Sequence, residues 1–161
     1  MNVPIAKPRV AKPEDVHEII RVVNAAFAVE TFLEGTRTDE NRMPEMMRQG
    51  QFLVAESEAG RIVASVYLEI RGERAYLGML AVDPSQQGQG LGRAMMEAAE
   101  RQARLQGSRH MDISVLSLRP ELPPLYRKLG YSETGTEEFH PSQPLRPGVV
   151  CHSIIMSKAL D

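Results

Sequence analysis

The sequence predicts an α+β fold, a sheet flanked by about four helices. Three observations predict it. Apolar residues repeat at helical spacing near the start and again mid-chain, with an alternating stretch between them. The strands of that stretch are joined by turns too short for crossover helices, so they pair as hairpins. Length (161 residues) with 42% hydrophobic and 25% charged content makes one globular domain, residues 1–161.

Pro13 to Phe27 reads as the first helix. Pro13 suits a first turn, Glu14 and Asp15 suit its positive end, and Val16, Ile19, Ile20, Val23 and Phe27 share a face. Residues 28–38 bend near Gly35 and Thr36, and a second short helix spans Asp39–Gln49, its start left open by Pro44. Met43, Met46 and Met47 of that helix read as core, and Gly50 closes it. Gln51–Glu56 is a short strand followed by a tight turn at Glu58-Ala59-Gly60.

In the next strand Ile62, Ala64, Val66, Leu68 and Ile70 form one face and Val63, Ser65, Tyr67 and Glu69 the other. That alternation predicts a single buried face. Arg71–Arg74 turns the chain into Tyr76–Val82, which is apolar on both faces and therefore central. A glycine-rich segment, Gln86–Gly92, leads into a helix over Arg93–Gln106, with Met95 and Ala98 facing the core and Gly107 stopping it. Then come a strand at His110–Leu116, a helix at Pro120–Leu129 and a strand at Tyr131–Phe139. A Pro-rich loop, His140–Gly148, precedes the last strand, Val149–Met156. If that strand lies at an edge it offers dimer pairing, so monomer and homodimer both stay open.

Composition narrows the function. With 19 Lys+Arg against 21 Asp+Glu and no basic run, a broad grip on nucleic acid is excluded. A lone Cys151 excludes an internal disulfide or a multi-cysteine zinc site. His17, His110, His140 and His152 show no ligand spacing, so no metal is expected. No stretch approaches the roughly 20 apolar residues of a membrane helix. The segment MNVPIAKPRV has no apolar signal core, and a cytoplasmic location is expected.

The chemistry is concentrated at Gly88, Gly90 and Gly92, between a buried strand and an amphipathic helix. A glycine loop opening a helix presents unpaired backbone N–H groups to an anion, and the helix dipole adds about 0.3–1 kcal/mol per charge. No Lys follows the glycines, which excludes a Walker loop. The spacing Gly88-x-Gly90-x-Gly92, after hairpin strands, excludes a Rossmann fingerprint.

Gln87-x-x-Gly90-x-Gly92 instead resembles the pyrophosphate signature of the GNAT family of N-acyltransferases. Leu80-Ala81-Val82-Asp83-Pro84 is similar to the end of that family's central strand. Leu125-Tyr126-Arg127-Lys128-Leu129-Gly130-Tyr131 resembles its later L-Y-x-x-x-G-[FY] helix end. The resemblance implies a mixed, mostly antiparallel sheet splayed open at an acyl-coenzyme A site, between the strand ending at Val82 and the strand starting near His110. It implies that Leu80, Ala81 and Val82 hold the pantetheine arm through their backbone, with a Leu80 N–H at the developing oxyanion. Gln87, Gly88, Gln89, Gly90, Leu91, Gly92 and Arg93 would seat the pyrophosphate. Acetyl-CoA is then the expected acyl donor, transferred to a primary amine by direct attack in a ternary complex. A non-catalytic acyl-CoA-binding or sensing module is the alternative.

By the same resemblance Tyr126 is the general acid that protonates the leaving thiolate. Glu69, on the strand face of Tyr67, is a candidate base. His152 reads as a core histidine, Cys151 as a small apolar residue, and Glu30 and Glu34 as solvated loop charges able to attract a cationic amine. Arg119 stands where many family members carry Asn, seven residues before the tyrosine, and reads as a surface arginine with a coenzyme phosphate as its alternative. The segments 27–49 and His140–Gly148 are expected to shape the acceptor site, and the mild acidity of Glu30–Glu45 leans toward a cationic acceptor.

Overall fold

The structure, a computed structural model, describes residues 7–139 and 143–161. Seven strands form one sheet in the order β1-β2-β3-β4-β5-β7-β6. They are β1 (Arg9–Val10), β2 (Gln51–Glu56), β3 (Ile62–Arg71), β4 (Arg74–Val82), β5 (His110–Leu116), β6 (Ser132–Glu138) and β7 (His152–Ala159). Only β4 and β5 run parallel; every other neighbour is antiparallel. Four α-helices complete the fold: α1 (Val16–Phe27), α2 (Met43–Gln49), α3 (Leu91–Leu105) and α4 (Leu122–Lys128). The expected mixed, mostly antiparallel sheet with helices around it is the observed one.

The helices divide between the two faces of the sheet. On one face α1 buries Ile19, Val22 and Val23 with Phe52, Val54 and Tyr67, and Met43 of α2 joins them. On the other, Met95, Met96, Ala99 and Ala103 of α3 pack on Leu53, Val66, Leu68, Leu77 and Ile113, beside Leu122 and Tyr126 of α4 and Leu129 that follows it. β3 lies between these layers, so Val63, Ser65 and Tyr67 are buried as well as Ala64, Val66 and Leu68. The single buried face expected for that strand is corrected to two, because a helix covers each side. β4, fourth in the sheet, occupies the central place its sequence predicts.

Local chemistry sets the helix starts. Pro13–Asp15 forms a 3-10 turn ahead of α1, and the Lys12 N–H donates to Asp15 Oδ2 at 2.7 Å. Pro44 is the second residue of α2, within the first turn where proline removes no helical bond. α3 begins at Leu91, two residues earlier than its periodicity suggests, so Gly92 is helical and Gly90 is its N-cap. No described helix is long and apolar enough to cross a membrane.

The C-terminal strand departs most from expectation. β7 runs His152–Ala159, three residues later than Val149–Met156, and lies between β5 and β6. Polar Ser157 and Lys158 hide its continuation, yet both are satisfied there: the Ser157 hydroxyl donates to Asp112 Oδ1 at 2.6 Å and Lys158 Nζ to Glu100 Oε1 at 2.9 Å. The edge is β6, exposed at every residue, so dimer pairing through the last strand is withdrawn. His152 opens β7 exposed rather than as a core histidine, and Cys151 precedes the strand.

Candidate active site

β4 and β5 pair from Arg74 opposite His110 to Leu77 opposite Ile113, and there the pairing stops. β4 nevertheless continues to Val82 and β5 to Leu116, so the two strands part within the sheet. A bulge accompanies the parting: Ser65 pairs with Ala81 and Tyr67 with Gly78, which sets Met79 and Leu80 against Val66 alone. Met79 has φ 51°, the one positive value outside glycine among the described residues. Such strain persists where surrounding structure enforces it, and it concentrates at functional sites. Beyond Leu77 the β5-facing main chain of β4 lacks a strand partner, which suits an extended ligand arm.

The first turn of α3 lies against this strand end. A Cβ on Gly92 would sit 3.8 Å from Val82 Cγ2 and 4.0 Å from Leu80 Cδ2. Gly90 adopts φ 77°, a left-handed conformation that glycine takes without a Cβ penalty. No side chain caps the helix, and its first backbone bond runs from the Ala94 N–H to the Gly90 carbonyl at 3.1 Å. The preceding N–H groups are therefore available to an anion. A Cβ at Gly88 or Gly90 would meet no protein atom within 4 Å, so the loop surface is open. These residues fit the diphosphate and pantetheine arm of an acyl-coenzyme A. The Gln87 amide donates to the Val82 carbonyl at 3.4 Å, tying the loop to the strand.

Tyr126, on α4, packs partly buried against the α3-side core with its ring 6.3 Å, edge-on, from that of Tyr131. Its hydroxyl has no hydrogen-bond partner among the described residues. Burial pushes the phenol above its ordinary value, and the charge of Arg119 opposes that rise. A phenol held protonated and unengaged is equipped to donate a proton.

Glu69 shares its face with Tyr67 and sits directly opposite Tyr76 of β4. Both bonds it receives from Arg71, at 2.6 and 3.0 Å, fall on Oε2, which leaves Oε1 free. The Arg71 guanidinium in turn lies 4.7 Å from the centre of the Tyr76 ring. Tyr76 was not singled out by sequence, where it reads only as one apolar member of a central strand. Its ring runs along β4 over Gly78, where an added Cβ would meet the phenol carbons and oxygen at 2.9–3.1 Å. Burial raises this phenol as well.

Glu30 and Arg119 differ from their surface readings. Glu30 is 6% exposed and accepts from Arg119 Nη1 at 2.8 Å, while Arg119 Nε donates to Glu121 at 2.8 Å. Arg119 is thus committed to two carboxylates rather than free for a phosphate. Glu34 stays exposed. The segments expected to flank an acceptor do meet: Leu33 bridges to Leu145, and the Glu34 N–H donates to the Pro144 carbonyl at 2.9 Å. His140 lies outside the described residues.

The sheet with one parted parallel pair and a glycine-opened helix at its mouth defines an acetyltransferase architecture. The chain matches the acetyltransferase (GNAT) domain family over residues 12–141, and it belongs to that family. It is 28% identical over 144 residues to the mycothiol acetyltransferase of Propionibacterium freudenreichii, covering 84% of this chain and 46% of that protein. The chain therefore spans about half the length of that curated relative. Its fold superposes on the ribosomal-protein-S18-alanine N-acetyltransferase of Escherichia coli with TM-score 0.78 at 19% identity, over 98% of this chain and 95% of that one. The Salmonella typhimurium protein yncA, solved with its cofactor acetyl-CoA, gives TM-score 0.76 at 21% identity over 98% and 94% of the two chains.

Proposed function

We propose that this chain is an acetyl-CoA-dependent N-acetyltransferase that acts on a primary amine by direct attack in a ternary complex. One observation carries the reading: past Leu77 β4 stays paired with β3 but leaves β5, beside the uncapped, glycine-opened first turn of α3. When bound, the donor supplies an activated thioester and a thiolate leaving group. Gln87 to Arg93 hold its diphosphate through their N–H groups, and Leu80, Ala81 and Val82 hold its arm as an added strand would.

The Leu80 N–H, next to the bulge, is the donor for the developing oxyanion. Tyr126 delivers a proton to the departing sulfur. Glu69 Oε1 takes the proton of the incoming amine. An ordinary amine titrates near 10.4, so its neutral form costs roughly 4–5 kcal/mol at pH 7 and a base is required.

The test is calorimetric titration with coenzyme A, followed by thiol release from acetyl-CoA across a panel of amines. Binding with turnover on at least one amine supports the reading. Binding without turnover on any amine leaves a sensing module, and absence of binding removes both.

A further inference from the structure

On the α1 face of the sheet one cation stands without a counter-ion. Among the described residues every other partly buried Lys or Arg has a carboxylate partner: Arg9 has Asp15, Arg21 has Glu18, Arg42 has Asp39, Arg119 has Glu30 and Lys158 has Glu100. Arg37 has none. Its guanidinium carbon lies 5.0 Å from the centre of the Phe27 ring, and its Nε is buried with no hydrogen-bond partner. The two Nη groups are not sealed off with it. A half-buried charge without a partner costs free energy, and a planar guanidinium fork matches a carboxylate.

Position gives this cation a role. Phe27 packs in the same cluster as Tyr76 and Met79, which lie on either side of the last β4–β5 pair at Leu77. The charge of Arg37 acts on the Tyr76 phenol more strongly than those of Arg71, Glu69 and Glu137. Leu80 and Val82, beside the glycine loop, instead pack against the α3-side core. Arg37 therefore lies across the sheet from the diphosphate seat, on the side left to the acceptor.

The neighbouring acids do not claim it. Glu30 is held by Arg119 through Oε2, Asp39 by Arg42 and Glu69 by Arg71, while Glu40 contacts the His17 ring at the surface. Three of the five acids in the segment Glu30–Glu45, namely Glu30, Asp39 and Glu45, are paired with arginines, Glu34 and Glu40 stay exposed, and the unpaired half-buried charge is positive.

We propose that Arg37 is the anion-recognising residue of the acceptor site, and that the acceptor is an amine bearing a carboxylate, as in a free amino acid. The inference rests on the acetyl-transfer reading of the same site and can fail separately from it.

The test is a calorimetric titration of the protein saturated with coenzyme A, using the free α-amino acids and, for each, its carboxamide. Thiol release from acetyl-CoA is followed on the same set. At least one amino acid binds and its carboxamide binds about 10–100-fold more weakly, the range expected for charge-assisted hydrogen bonds. Arg37→Gln removes that preference by weakening the acid alone, and leaves coenzyme A affinity and the melting temperature in place. Arg37→Lys, which keeps the charge but loses the fork, retains part of the preference and serves if the Gln variant misfolds.

Equal binding of acid and carboxamide, binding of no amino acid, or a preference that survives Arg37→Gln overturns the proposal. Selective binding without thiol release upholds Arg37 while ending the acetyl-transfer reading. Release from carboxamides as readily as from acids does the reverse.

Discussion

Leu77 opposite Ile113 is the last pair between β4 and β5, and the next residue, Gly78, is where the Tyr76 ring folds down onto the strand. The two facts are connected. A side chain at position 78 would occupy the place of the Tyr76 phenol, so the smallest residue lets an aromatic ring lie along β4 at the point of parting. The bulge at Met79 and Leu80 follows at once and re-aims the remaining backbone. A donor arm on one face and an acceptor on the other would meet at this spot.

Gly90→Ala tests the diphosphate seat. The residue holds φ 77°, and an added Cβ meets no protein atom within 4 Å, so the substitution introduces backbone strain without a clash. A left-handed non-glycine residue costs roughly 1–2 kcal/mol. The expected outcome is an unfolding free energy, read by urea titration, lowered by that amount and coenzyme A binding weakened about tenfold or more, because the Cβ projects where the ligand approaches. Unchanged affinity on calorimetry would show that these amides do not seat the diphosphate.

Tyr126→Phe separates chemistry from binding. The hydroxyl has no partner among the described residues, so its removal breaks no bond there, and the ring keeps its packing beside Tyr131. General acid catalysis is worth typically 10²–10⁴-fold. Turnover is expected to fall by about 10²-fold, with coenzyme A affinity within about twofold of wild type. A variant that turns over at the wild-type rate would take Tyr126 out of the mechanism.

What sequence reveals here depends on whether a residue's role is local or relational. Periodicity and turn chemistry place α1, β2 and β5 and put the glycines at the start of α3, though that helix begins two residues early, because each depends on residues adjacent in the chain. β7 is misplaced because Ser157 and Lys158 look like loop residues until Asp112 and Glu100, far away in sequence, are brought to them. Both faces of β3 are buried because two distant helices cover it, which alternation alone does not reveal. The glycine signature carries the donor side of the site in a contiguous motif. The acceptor side has no such motif: Tyr76 stands out only once Gly78 lies beneath it, and Arg37 only once Glu30, Asp39 and Glu69 have found other partners.

Glu100 ties α3 to β7 and to the segment between α4 and β6 from inside the fold. It is 5% exposed on α3, accepts from the Tyr131 hydroxyl at 2.9 Å and from Lys158 Nζ of β7 at 2.9 Å. Removing one member of a buried charged pair costs about 3–5 kcal/mol, and Lys158, with 29% of its side chain exposed, keeps enough water to place the loss at the lower end. Glu100→Ala is expected to lower unfolding free energy by about 3 kcal/mol in urea titration. Glu100→Met tests whether the polar network matters as such: equal stability to wild type would show that apolar packing replaces it.

Acid unfolding follows from a few paired carboxylates. Arg61 and Arg21 hold Glu18 down from an ordinary 4.5 to about 2. Arg9 lowers Asp15, Arg74 lowers Asp112, and the Ser85 N–H and hydroxyl lower Asp83, each from 3.8. A carboxylate depressed in the folded state contributes stability above its unfolded value and loses it as pH falls through the folded one. The melting temperature is therefore expected to hold from pH 7 to about 5 with respect to these groups, then to drop between about 4.5 and 2. Glu18→Gln, which cannot ionise, starts lower at pH 7 and loses less on the way down, so its curve converges on wild type near pH 2. High salt narrows the gap at pH 7, because these pairs are partly exposed and screened. Melting curves of the two proteins that stay parallel from pH 7 to 2 would show that Glu18 does not govern the acid limb.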